Sequence, residues 1–359
     1  MSNESVVPFG PQHPVLPEPI QLKITLEDEN VKKVLPALGY VHRGIEKQGE
    51  RNDFLQNVYL VERVCGICSA THAVAYCVAV EAAMGIEVPM RAEYLRVIWA
   101  ELHRMHSHLL WLGLLAEAFG YESLFMQLWR VRESVMDILE RTAGNRVIIS
   151  VCQVGGTRRD LSEEQCGDVL RSLDAIQEEL DKIVPVLVND YTVKKRTQGK
   201  GTVDKKTAYD LGAVGPTVRG SGVAQDIRMT GYGAYKELDF EPVVETAGDT
   251  YARGMVRARE VYQSVELVRQ AVRRLPAGEI LTKVKGRPKG RAVARVEAPR
   301  GELIYMVVGN GTKNLERMRL RVPSLANIPF VLAILPGVDF ADVPVVTLSI
   351  DPCISCTER

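Results

Sequence analysis

The chain has 359 residues, of which 46% are hydrophobic and 25% charged, a balance typical of folded globular proteins that excludes a disordered or collagen-like chain. Its 45 Lys and Arg residues equal its 45 Asp and Glu residues, so no net field attracts nucleic acid and we expect no such partner. The start shows no basic segment followed by an apolar core, and the densest apolar run, Leu109–Ala116, is far shorter than the ~18 residues that a membrane span needs. We therefore expect neither a secretory signal nor a transmembrane segment.

The first 150 residues change from an alternating to a helical pattern. From Ile20 to Leu26 apolar and polar residues alternate, which predicts a half-buried strand, and a second run through Val41 completes a small N-terminal sheet. From Asp53 to Thr142 apolar residues recur every three or four positions, which predicts amphipathic helices packed in a bundle. Gly144, followed by Asn145, fits the C-cap of the last of these helices.

The next hundred residues predict two helices separated by a loop. One helix extends from about Ser162 to Val188 and begins with Ser162 as its cap and two glutamates in its first turn. The other extends from about Asp249 to Arg274 and ends before Pro276. Between them, the Gly-rich stretch Leu211–Tyr235 predicts an irregular loop.

The C-terminal part predicts extended structure. A hairpin is expected from Arg291 to Val308, turning at Ala298–Gly301, and a last strand from Val345 to Ile350. Neither an internal repeat nor a Pro/Ser-rich linker divides the chain. We therefore predict one α+β, mainly α, domain over residues 1–359, formed by an N-terminal sheet region (1–50), a helical core (51–275) and a hairpin with a cysteine-bearing C-terminal segment (276–359).

Two Cys-x-x-Cys pairs lie near opposite ends of the chain, Cys65 with Cys68 and Cys353 with Cys356. Two intervening residues let both sulfurs face one ion, and four thiolates suit a soft or borderline metal. From spacing alone, structural zinc is the simplest interpretation and a redox dithiol is the alternative. Zinc ribbons, however, place their pairs about 15–20 residues apart. Here almost the whole chain separates them, and a chain of this length needs no metal to fold, which favours a functional site.

The residues around the cysteines resemble a known family. The segment Arg63-Val-Cys-Gly-Ile-Cys-Ser-Ala-Thr-His72 resembles the N-terminal metal motif of nickel–iron hydrogenase large subunits, and Asp351-Pro-Cys-Ile-Ser-Cys-Thr-Glu-Arg359 resembles their C-terminal motif. The resemblance is closest to the energy-converting, membrane-associated group, which is related to the quinone-module (49 kDa-type) subunit of complex I, and it covers essentially the whole chain. Further matches are Gly10–Pro14, His42–Glu46, Val214–Gly222 and Glu297–Gly301.

The resemblance implies that the four cysteines hold a nickel–iron centre with two cyanides and one carbon monoxide on the iron. Cys65 and Cys353 would be terminal ligands of nickel, and Cys68 and Cys356 would bridge nickel and iron. Four thiolates balance two divalent metals, and a low coordination number leaves an open position for dihydrogen.

The resemblance also implies a path for the proton that heterolytic cleavage of dihydrogen releases. The Cys353 thiolate would accept it, and Glu18 stands where related enzymes carry a relay glutamate. The alternative for Glu18 is an exposed loop carboxylate. Pro299 and Arg300 correspond to the segment whose arginine lies over the metals and hydrogen-bonds a cyanide, with Asp351 as its partner. The alternative for Arg300 is an ordinary arginine in the hairpin turn.

Further residues are expected around the centre. His72 would donate a hydrogen bond to a bridging sulfur, unless it is satisfied elsewhere in the core. Arg63 would add positive charge or pair with a neighbouring carboxylate. Pro323 and Ser324 resemble the segment that hydrogen-bonds the other cyanide.

Two departures from the family pattern concern a second metal and a group of histidines. Glu46 matches a glutamate that elsewhere binds magnesium with a C-terminal histidine, but this chain has Arg359 there, which puts the magnesium in doubt. In place of an expected aspartate, the segment after the histidine cluster reads Leu-Leu-Trp. For the cluster itself we favour packing within a helix over a role at an interface or in proton transfer; it comprises His103, His106 and His108.

The leading hypothesis is the catalytic subunit of an energy-converting nickel–iron hydrogenase. No cysteine set remains for an iron–sulfur cluster, so electrons must pass to another chain. The family supplies a small subunit with a 4Fe–4S cluster, further iron–sulfur and integral membrane subunits that pump ions, and ferredoxin indirectly, with the chain peripheral on the cytoplasmic side of the membrane. The alternatives are a metal-free, quinone-facing subunit of a complex I-like assembly, whose known relatives have lost the cysteine pairs, and a zinc-stapled scaffold.

Overall fold

The N-terminal sheet of the computed structural model, which describes residues 4–359, has three antiparallel strands in the order β1-β2-β3. Leu22 and Ile24 point into the core from the central strand, as the alternation predicts. The first strand was not predicted, because most of its side chains are exposed and it carries no alternating apolar pattern. The strands are β1 (Glu4–Phe9), β2 (Gln21–Glu27) and β3 (Asn30–Ala37).

Helices account for about 51% of the protein, which confirms the predicted mainly helical α+β class. In chain order they are α1 (Ile45–Arg51), α2 (Asn57–Glu62), α3 (Ser69–Met84), α4 (Met90–Ala118), α5 (Glu122–Ala143), α6 (Glu163–Asn189), α7 (Tyr191–Thr197), α8 (Lys205–Asp210), α9 (Pro216–Arg219), α10 (Thr250–Arg273), α11 (Pro323–Ala326), α12 (Ile328–Ile334), α13 (Val343–Leu348) and α14 (Ile354–Glu358). No helix within residues 4–359 is both long and apolar enough to cross a bilayer.

The predicted helix ends are confirmed by their capping groups. Ser162 forms a capping box with Gln165 at the start of α6, and the Asp249 carboxylate accepts a hydrogen bond from Ala252 N at 2.8 Å at the start of α10. Gly144 ends α5 with φ of 79°, a conformation that glycine adopts without steric cost. Local sequence therefore determines where these helices begin and end.

Helix α4 lies at the centre of the bundle and is buried almost all round. The sequence predicts an apolar stripe on one face, but the charged side chains of Arg96, Glu101 and Arg104 are buried as well. A helix enclosed on all sides must neutralise such charges internally, because water cannot reach them. Their partners come from distant parts of the chain.

The predicted hairpin is confirmed and forms the second three-stranded sheet, with β6 (Lys289–Ala298), β7 (Gly301–Asn310) and β8 (Leu315–Arg321). Its turn is fixed by close backbone packing. Gly301 has φ of 128°, and a Cβ there would lie 2.7 Å from Gly215 N, so only glycine fits. Because of this contact, the Pro299–Arg300 turn packs directly against the Gly-rich segment. Two short strands, β4 (Cys152–Gln153) and β5 (Gly156–Thr157), pair with each other.

The predicted strand from Val345 to Ile350 is wrong, because this segment forms helix α13. The β-branched run suggests a strand, but Pro344 lies in the first helical turn, where its missing N–H costs nothing. Val343, Val345 and Val346 are fully buried, so tertiary packing overrides the strand propensity. The predicted loop Leu211–Tyr235 is mainly irregular, apart from α9 and two short 3₁₀ turns.

The two ends of the chain share one hydrophobic cluster. Leu22 and Ile24 of the N-terminal sheet belong to the same buried group as Phe330 of α12, Ile350 and Ile354. Burial of this apolar surface fixes the C-terminal segment against the start of the chain. The remaining core lies among the helices of the bundle and the inner face of the second sheet.

Candidate metal centre

The sulfurs of the two Cys-x-x-Cys pairs meet inside the protein. Cys353 Sγ lies 3.3 Å from Cys65 Sγ, and Cys68 Sγ lies 3.6 Å from Cys356 Sγ. All four residues are at most 4% exposed. The sulfurs of Cys65, Cys68 and Cys356 lie within 4.8 Å of one another, and within residues 4–359 no other group of three or more metal-ligating side chains is as close. The opposite ends of the chain therefore supply one sulfur cluster.

One cysteine of each pair caps the N-terminus of a helix. Cys68 is the N-cap of α3, and Cys353 is the N-cap of α14, where its sulfur accepts a hydrogen bond from Cys356 N at 3.4 Å. The backbone N–H groups of a helix N-terminus favour negative charge, an effect that opposes the influence of burial on these two thiols.

Hydrogen bonds of the Arg43 and Ser324 side chains hold the cysteine-bearing segments together. The sequence analysis predicted this role for neither residue. Arg43 donates to Arg63 O at 2.7 Å and to Val64 O at 2.8 Å, and it reaches across to Ser355 O at 3.3 Å. The Ser324 hydroxyl accepts a hydrogen bond from Cys353 N at 3.0 Å. Arg43 lies inside the quoted His42–Glu46 motif, so its position in that motif was the available signal.

The four thiols differ in how readily they lose a proton. Hydrogen bonds from Cys356 and Cys65 lower the pKa of Cys68 to about 6, whereas burial raises the pKa of Cys356 well above its ordinary value. For Cys353 the hydrogen bond with Cys356 acts to lower the pKa, but Cys65 and burial together raise it to about 11. Four sulfurs this close cannot all be deprotonated unless positive charge compensates them. An all-thiolate site therefore fits soft or borderline metals.

Arg300 and Asp351 form a buried pair beside the sulfurs. Arg300 Nε donates to Asp351 O at 2.9 Å, and Nη2 lies 2.8 Å from Asp351 Oδ1. Burial opposes the guanidinium charge, but the carboxylate of Asp351 and the thiolate of Cys353 hold its pKa well above the usual value. Within residues 4–359, Arg300 Nη1 and Asp351 Oδ2 are buried without a hydrogen-bond partner. A free N–H of a buried cation fits a small anionic ligand.

The Glu18 side chain contacts the turn that carries the C-terminal cysteines. Its carboxylate accepts hydrogen bonds from the backbone N–H of Ile354 and, at 3.0 Å, from that of Ser355. The Ser355 hydroxyl also donates to Glu18 and lies 3.4 Å from Cys353 Sγ. Burial and the nearby Cys353 thiolate raise the pKa of Glu18, although its hydrogen bonds oppose the shift. Glu18 is thus half-buried beside the cluster, not an exposed loop carboxylate.

His72 lies between a sulfur and a tyrosine. Its Nε2 is 3.6 Å from Cys356 Sγ, and its Nδ1 is 2.7 Å from the hydroxyl of Tyr305. Burial lowers the pKa of His72 to about 4. Sequence reasoning placed His72 next to a bridging sulfur but missed Tyr305, because a lone aromatic residue in a hairpin strand carries no motif.

The other residues expected at the centre lie at varying distances from it. The Arg63 side chain is 50% exposed and contacts Tyr59 O and Glu62, which corresponds to the alternative of pairing with a neighbouring carboxylate. Pro299 and Pro323 are buried in the turns that precede Arg300 and Ser324. The hydroxyl of Ser324 is already used by Cys353 N.

Glu46 is surrounded by positively charged side chains. Its carboxylate lies 3.1 Å from Arg359 Nε and 3.5 Å from Arg317 Nη2, and it accepts a hydrogen bond from Leu320 N at 3.1 Å. These groups satisfy the carboxylate charge without a metal ion. The arrangement therefore gives no support to magnesium at Glu46.

The histidine cluster of α4 is buried in the bundle. His108 Nε2 lies 2.8 Å from Glu260 Oε2, and His106 Nδ1 accepts a hydrogen bond from Arg132 Nε at 3.0 Å. His103 packs edge-on against His106, with ring centroids 5.4 Å apart. These contacts indicate that the three histidines pack within the helix bundle.

Comparisons with known proteins agree with this geometry. A family profile described as nickel-dependent hydrogenase matches residues 43–117, and the profile of the 49 kDa subunit of respiratory-chain NADH dehydrogenase matches residues 119–287 and 281–359. The solved structure of the membrane-bound sulfane sulfur reductase, an archaeal respiratory membrane complex, contains a chain that superposes with a TM-score of 0.94 at 31% identity, covering 99% of this chain and 98% of that one.

Curated relatives include both hydrogenases and quinone reductases. Membrane-bound hydrogenase subunit alpha of Pyrococcus furiosus is 42% identical, over 98% of this chain and 87% of its own length. Carbon monoxide-induced hydrogenase of Rhodospirillum rubrum is 40% identical, over 98% of this chain and 99% of its own. An NADH-quinone oxidoreductase subunit of Thermodesulfovibrio yellowstonii is 34% identical, over 99% of this chain and 96% of its own.

Fold, sulfur cluster and relatives together define the class. The chain belongs to the family of nickel–iron hydrogenase large subunits and the related 49 kDa-type subunits of complex I. Within that family it groups with the energy-converting, membrane-associated hydrogenases. An oxidoreductase subunit that acts within a membrane complex is the activity class that these relatives indicate.

Proposed function

We propose that the chain is the catalytic subunit of an energy-converting nickel–iron hydrogenase, which interconverts dihydrogen with protons and electrons. The observation that carries the proposal is the meeting of four buried cysteine sulfurs from opposite ends of the chain, with contacts of 3.3 and 3.6 Å. A metal-free subunit has no need to bury four thiols in contact, because crowded thiols gain little by packing and resist ionisation.

The cysteines would hold a nickel–iron centre that carries two cyanides and one carbon monoxide. Cys65 and Cys353 would bind nickel alone, and Cys68 and Cys356 would be shared between nickel and iron. When bound, such a centre supplies heterolytic cleavage of dihydrogen. Arg300 would turn its free Nη1–H toward an anionic diatomic ligand, and Asp351 keeps the guanidinium in place.

Proton transfer would use side chains that already contact one another. The Cys353 sulfur receives the proton, and the Ser355 hydroxyl, 3.4 Å away, bonds to the Glu18 carboxylate. Because burial raises the pKa of Glu18, the carboxylate is a better proton acceptor than an exposed glutamate. The path Cys353–Ser355–Glu18 therefore leads from the cluster toward the less buried N-terminal loop.

Electrons would leave to a partner chain. The relatives are named as subunits of membrane-bound hydrogenases and respiratory complexes, which supports a complex of several subunits. We propose a small subunit with a 4Fe–4S cluster as the direct electron partner, further iron–sulfur and integral membrane subunits that translocate ions, and ferredoxin as the indirect donor or acceptor. In this arrangement the chain is peripheral, on the cytoplasmic side of the membrane.

Metal analysis of the complex, purified anaerobically from cells that contain the maturation machinery, tests the proposal. We expect one nickel per chain and infrared bands from cyanide and carbon monoxide, which partner iron–sulfur clusters do not supply. Zinc in place of nickel would establish the stapled scaffold instead. The absence of any metal on this chain would favour the quinone-module alternative that the complex I relatives suggest.

A further inference from the structure

We propose that Tyr305 is a positioning residue that fixes the proton of His72 on Nε2, so that the imidazole donates a hydrogen bond to the Cys356 sulfur. The proposal rests on the proposed function only in assigning that sulfur to a metal centre. The tautomer itself follows from the contacts of the protein chain.

The contact between the two side chains is isolated from water. Tyr305 and His72 are at most 1% exposed, and the hydroxyl lies 2.7 Å from His72 Nδ1. Within residues 4–359, His72 is the hydrogen-bond partner recorded for the Tyr305 hydroxyl, and no other is found. The Tyr305 hydroxyl therefore has no alternative partner among these residues, and the protonation of His72 must suit this hydrogen bond.

Counting donors assigns the direction of the bond. A buried phenol needs an acceptor for its O–H, because an unsatisfied buried donor is costly. Burial also keeps the pKa of Tyr305 well above its ordinary value, so the O–H remains present. If Nδ1 carried the proton, it would donate to the phenol oxygen, and the phenol O–H would be left buried without an acceptor. Tyr305 must donate to Nδ1, which leaves the imidazole proton on Nε2, 3.6 Å from Cys356 Sγ.

The ring of Tyr305 is held so that it cannot turn away. It packs edge-on against His72, with centroids 5.8 Å apart, and against Tyr76, at 6.2 Å. His72 and Tyr76 are four residues apart and therefore lie on the same face of α3. Tyr305, on strand β7, packs against this face of α3. The position of the second sheet relative to α3 therefore determines where the hydroxyl meets the histidine.

Tyr76 provides a matched control on the same helix. Its hydroxyl donates to Phe54 O at 2.7 Å and does not contact the histidine. Tyr76→Phe and Tyr305→Phe each remove one buried hydroxyl and one hydrogen bond. Only the second variant removes the donor that faces His72 Nδ1.

Nitrogen-15 NMR of histidine-labelled protein without metals tests the tautomer. We expect His72 to carry its proton on Nε2 in the wild-type protein and in Tyr76→Phe. Tyr305→Phe should produce a substantial population with the proton on Nδ1. A wild-type histidine that is protonated on Nδ1 or on both nitrogens, or a tautomer that is unchanged in Tyr305→Phe, would overturn the proposal.

The metal-loaded complex gives a second readout. A hydrogen bond to the Cys356 thiolate withdraws electron density from the metals, so its weakening should shift the infrared bands of the diatomic ligands in Tyr305→Phe and not in Tyr76→Phe. Equal spectra for the two variants would contradict this effect on the centre. Should the wild-type complex lack nickel, the proposed function fails, yet the NMR experiment still decides the tautomer.

Discussion

Two buried polar regions of this protein satisfy their charges in opposite ways. In the helix bundle, Arg104 of α4 lies 3.2 Å from Glu101, and Arg228 lies 2.8 Å from Asp226. Arg219 contacts both Glu260 and Glu297 within 2.8 Å. At the sulfur cluster, by contrast, four thiols face one another and, among residues 4–359, Arg300 forms its ion pair with Asp351.

This difference distinguishes the ionic network of the bundle, which is structural, from the sulfur cluster, which is a candidate binding site. Burial alone would raise the pKa of Glu101, but Arg104 and Arg228 hold it below its ordinary value, so the carboxylate is ionised and paired. In this network each of the four carboxylates of Glu101, Asp226, Glu260 and Glu297 lies within 3.2 Å of an arginine, so their charge is neutralised without a ligand. Within the described part of the chain the thiols have no comparable set of cations, so their joint ionisation would require the positive charge of a bound metal.

The largest effect is expected from Cys68→Ala in the sulfur cluster. Because this sulfur contacts Cys356 Sγ and would be shared by both metals, its removal should abolish the bimetallic centre and with it the hydrogenase activity. Metal analysis and infrared spectra of the purified variant measure the loss.

Cys166→Ala is the control for this prediction, because Cys166 is half-buried on α6 and lies outside the cluster. It should retain nickel and activity. A Cys68→Ala protein that still contains one nickel per chain would show that the sulfur cluster is not the nickel site.

The next largest effect is expected from Glu18→Gln. The amide still accepts the hydrogen bonds of Ile354 and Ser355 but cannot take up a proton, so the metals should remain while turnover falls by about 10²–10⁴-fold. Hydrogen–deuterium exchange of dihydrogen measures the proton step. Glu93→Gln, a change in another carboxyl whose pKa burial raises, is the control and should leave turnover unchanged. Equal turnover in Glu18→Gln and the wild type would remove Glu18 from the proton path.

The two regions also differ in what the sequence could predict. The meeting of the four cysteines was predictable, because a motif for metal binding has fixed residue types at fixed spacing. The ionic network was not, because Arg104 donates to Glu297 O and Ala298 O almost two hundred residues away, and such pairing leaves no local pattern. Helix α4 therefore appeared amphipathic although its charged residues are buried.

The same distinction explains the residues missed at the centre itself. Tyr305 and His72 are 233 positions apart, and their contact depends on the register of the second sheet against α3. Helix α13 was predicted as a strand because its valines favour extended structure locally, whereas burial on all sides decides its conformation. Capped helices and the hairpin turn were predicted correctly because their signals are local.

A smaller effect, on stability, is expected from Glu101→Gln in the ionic network. The amide fills the same space but leaves Arg104 without its buried counter-charge and Arg228 with Asp226 alone, which should lower the free energy of unfolding by about 3–5 kcal/mol. Chemical denaturation measures the change. Glu179→Gln is the control, because its ion pairs with Arg130 and Lys182 are exposed and contribute far less. Equal stability of the two variants would mean that the network is not a structural cluster.

The smallest effect per side chain is expected in the dependence of stability on pH, which the two regions share. Burial lowers the pKa of His72 beside the sulfurs, of His108 beside Glu260 and of His103 beside His106 to about 4. In the unfolded chain these imidazoles titrate near ~6.5. Between these values the unfolded state binds protons that the folded state does not, so stability should decrease as the pH falls from about 6.5 to about 4.

His103→Gln isolates one contribution to this slope, because His103 has no carboxylate partner within residues 4–359. Each such histidine changes the free energy of unfolding by up to about 1.4 kcal/mol per pH unit in this window. His103→Gln should lose this contribution to the slope, whatever the stability of the variant at neutral pH. Denaturation curves of the variant and the wild type at pH 7, 6 and 5 give the slope. An unaltered slope in His103→Gln would show that His103 takes up a proton in the folded protein, and that the bundle around α4 admits charge without a fixed partner.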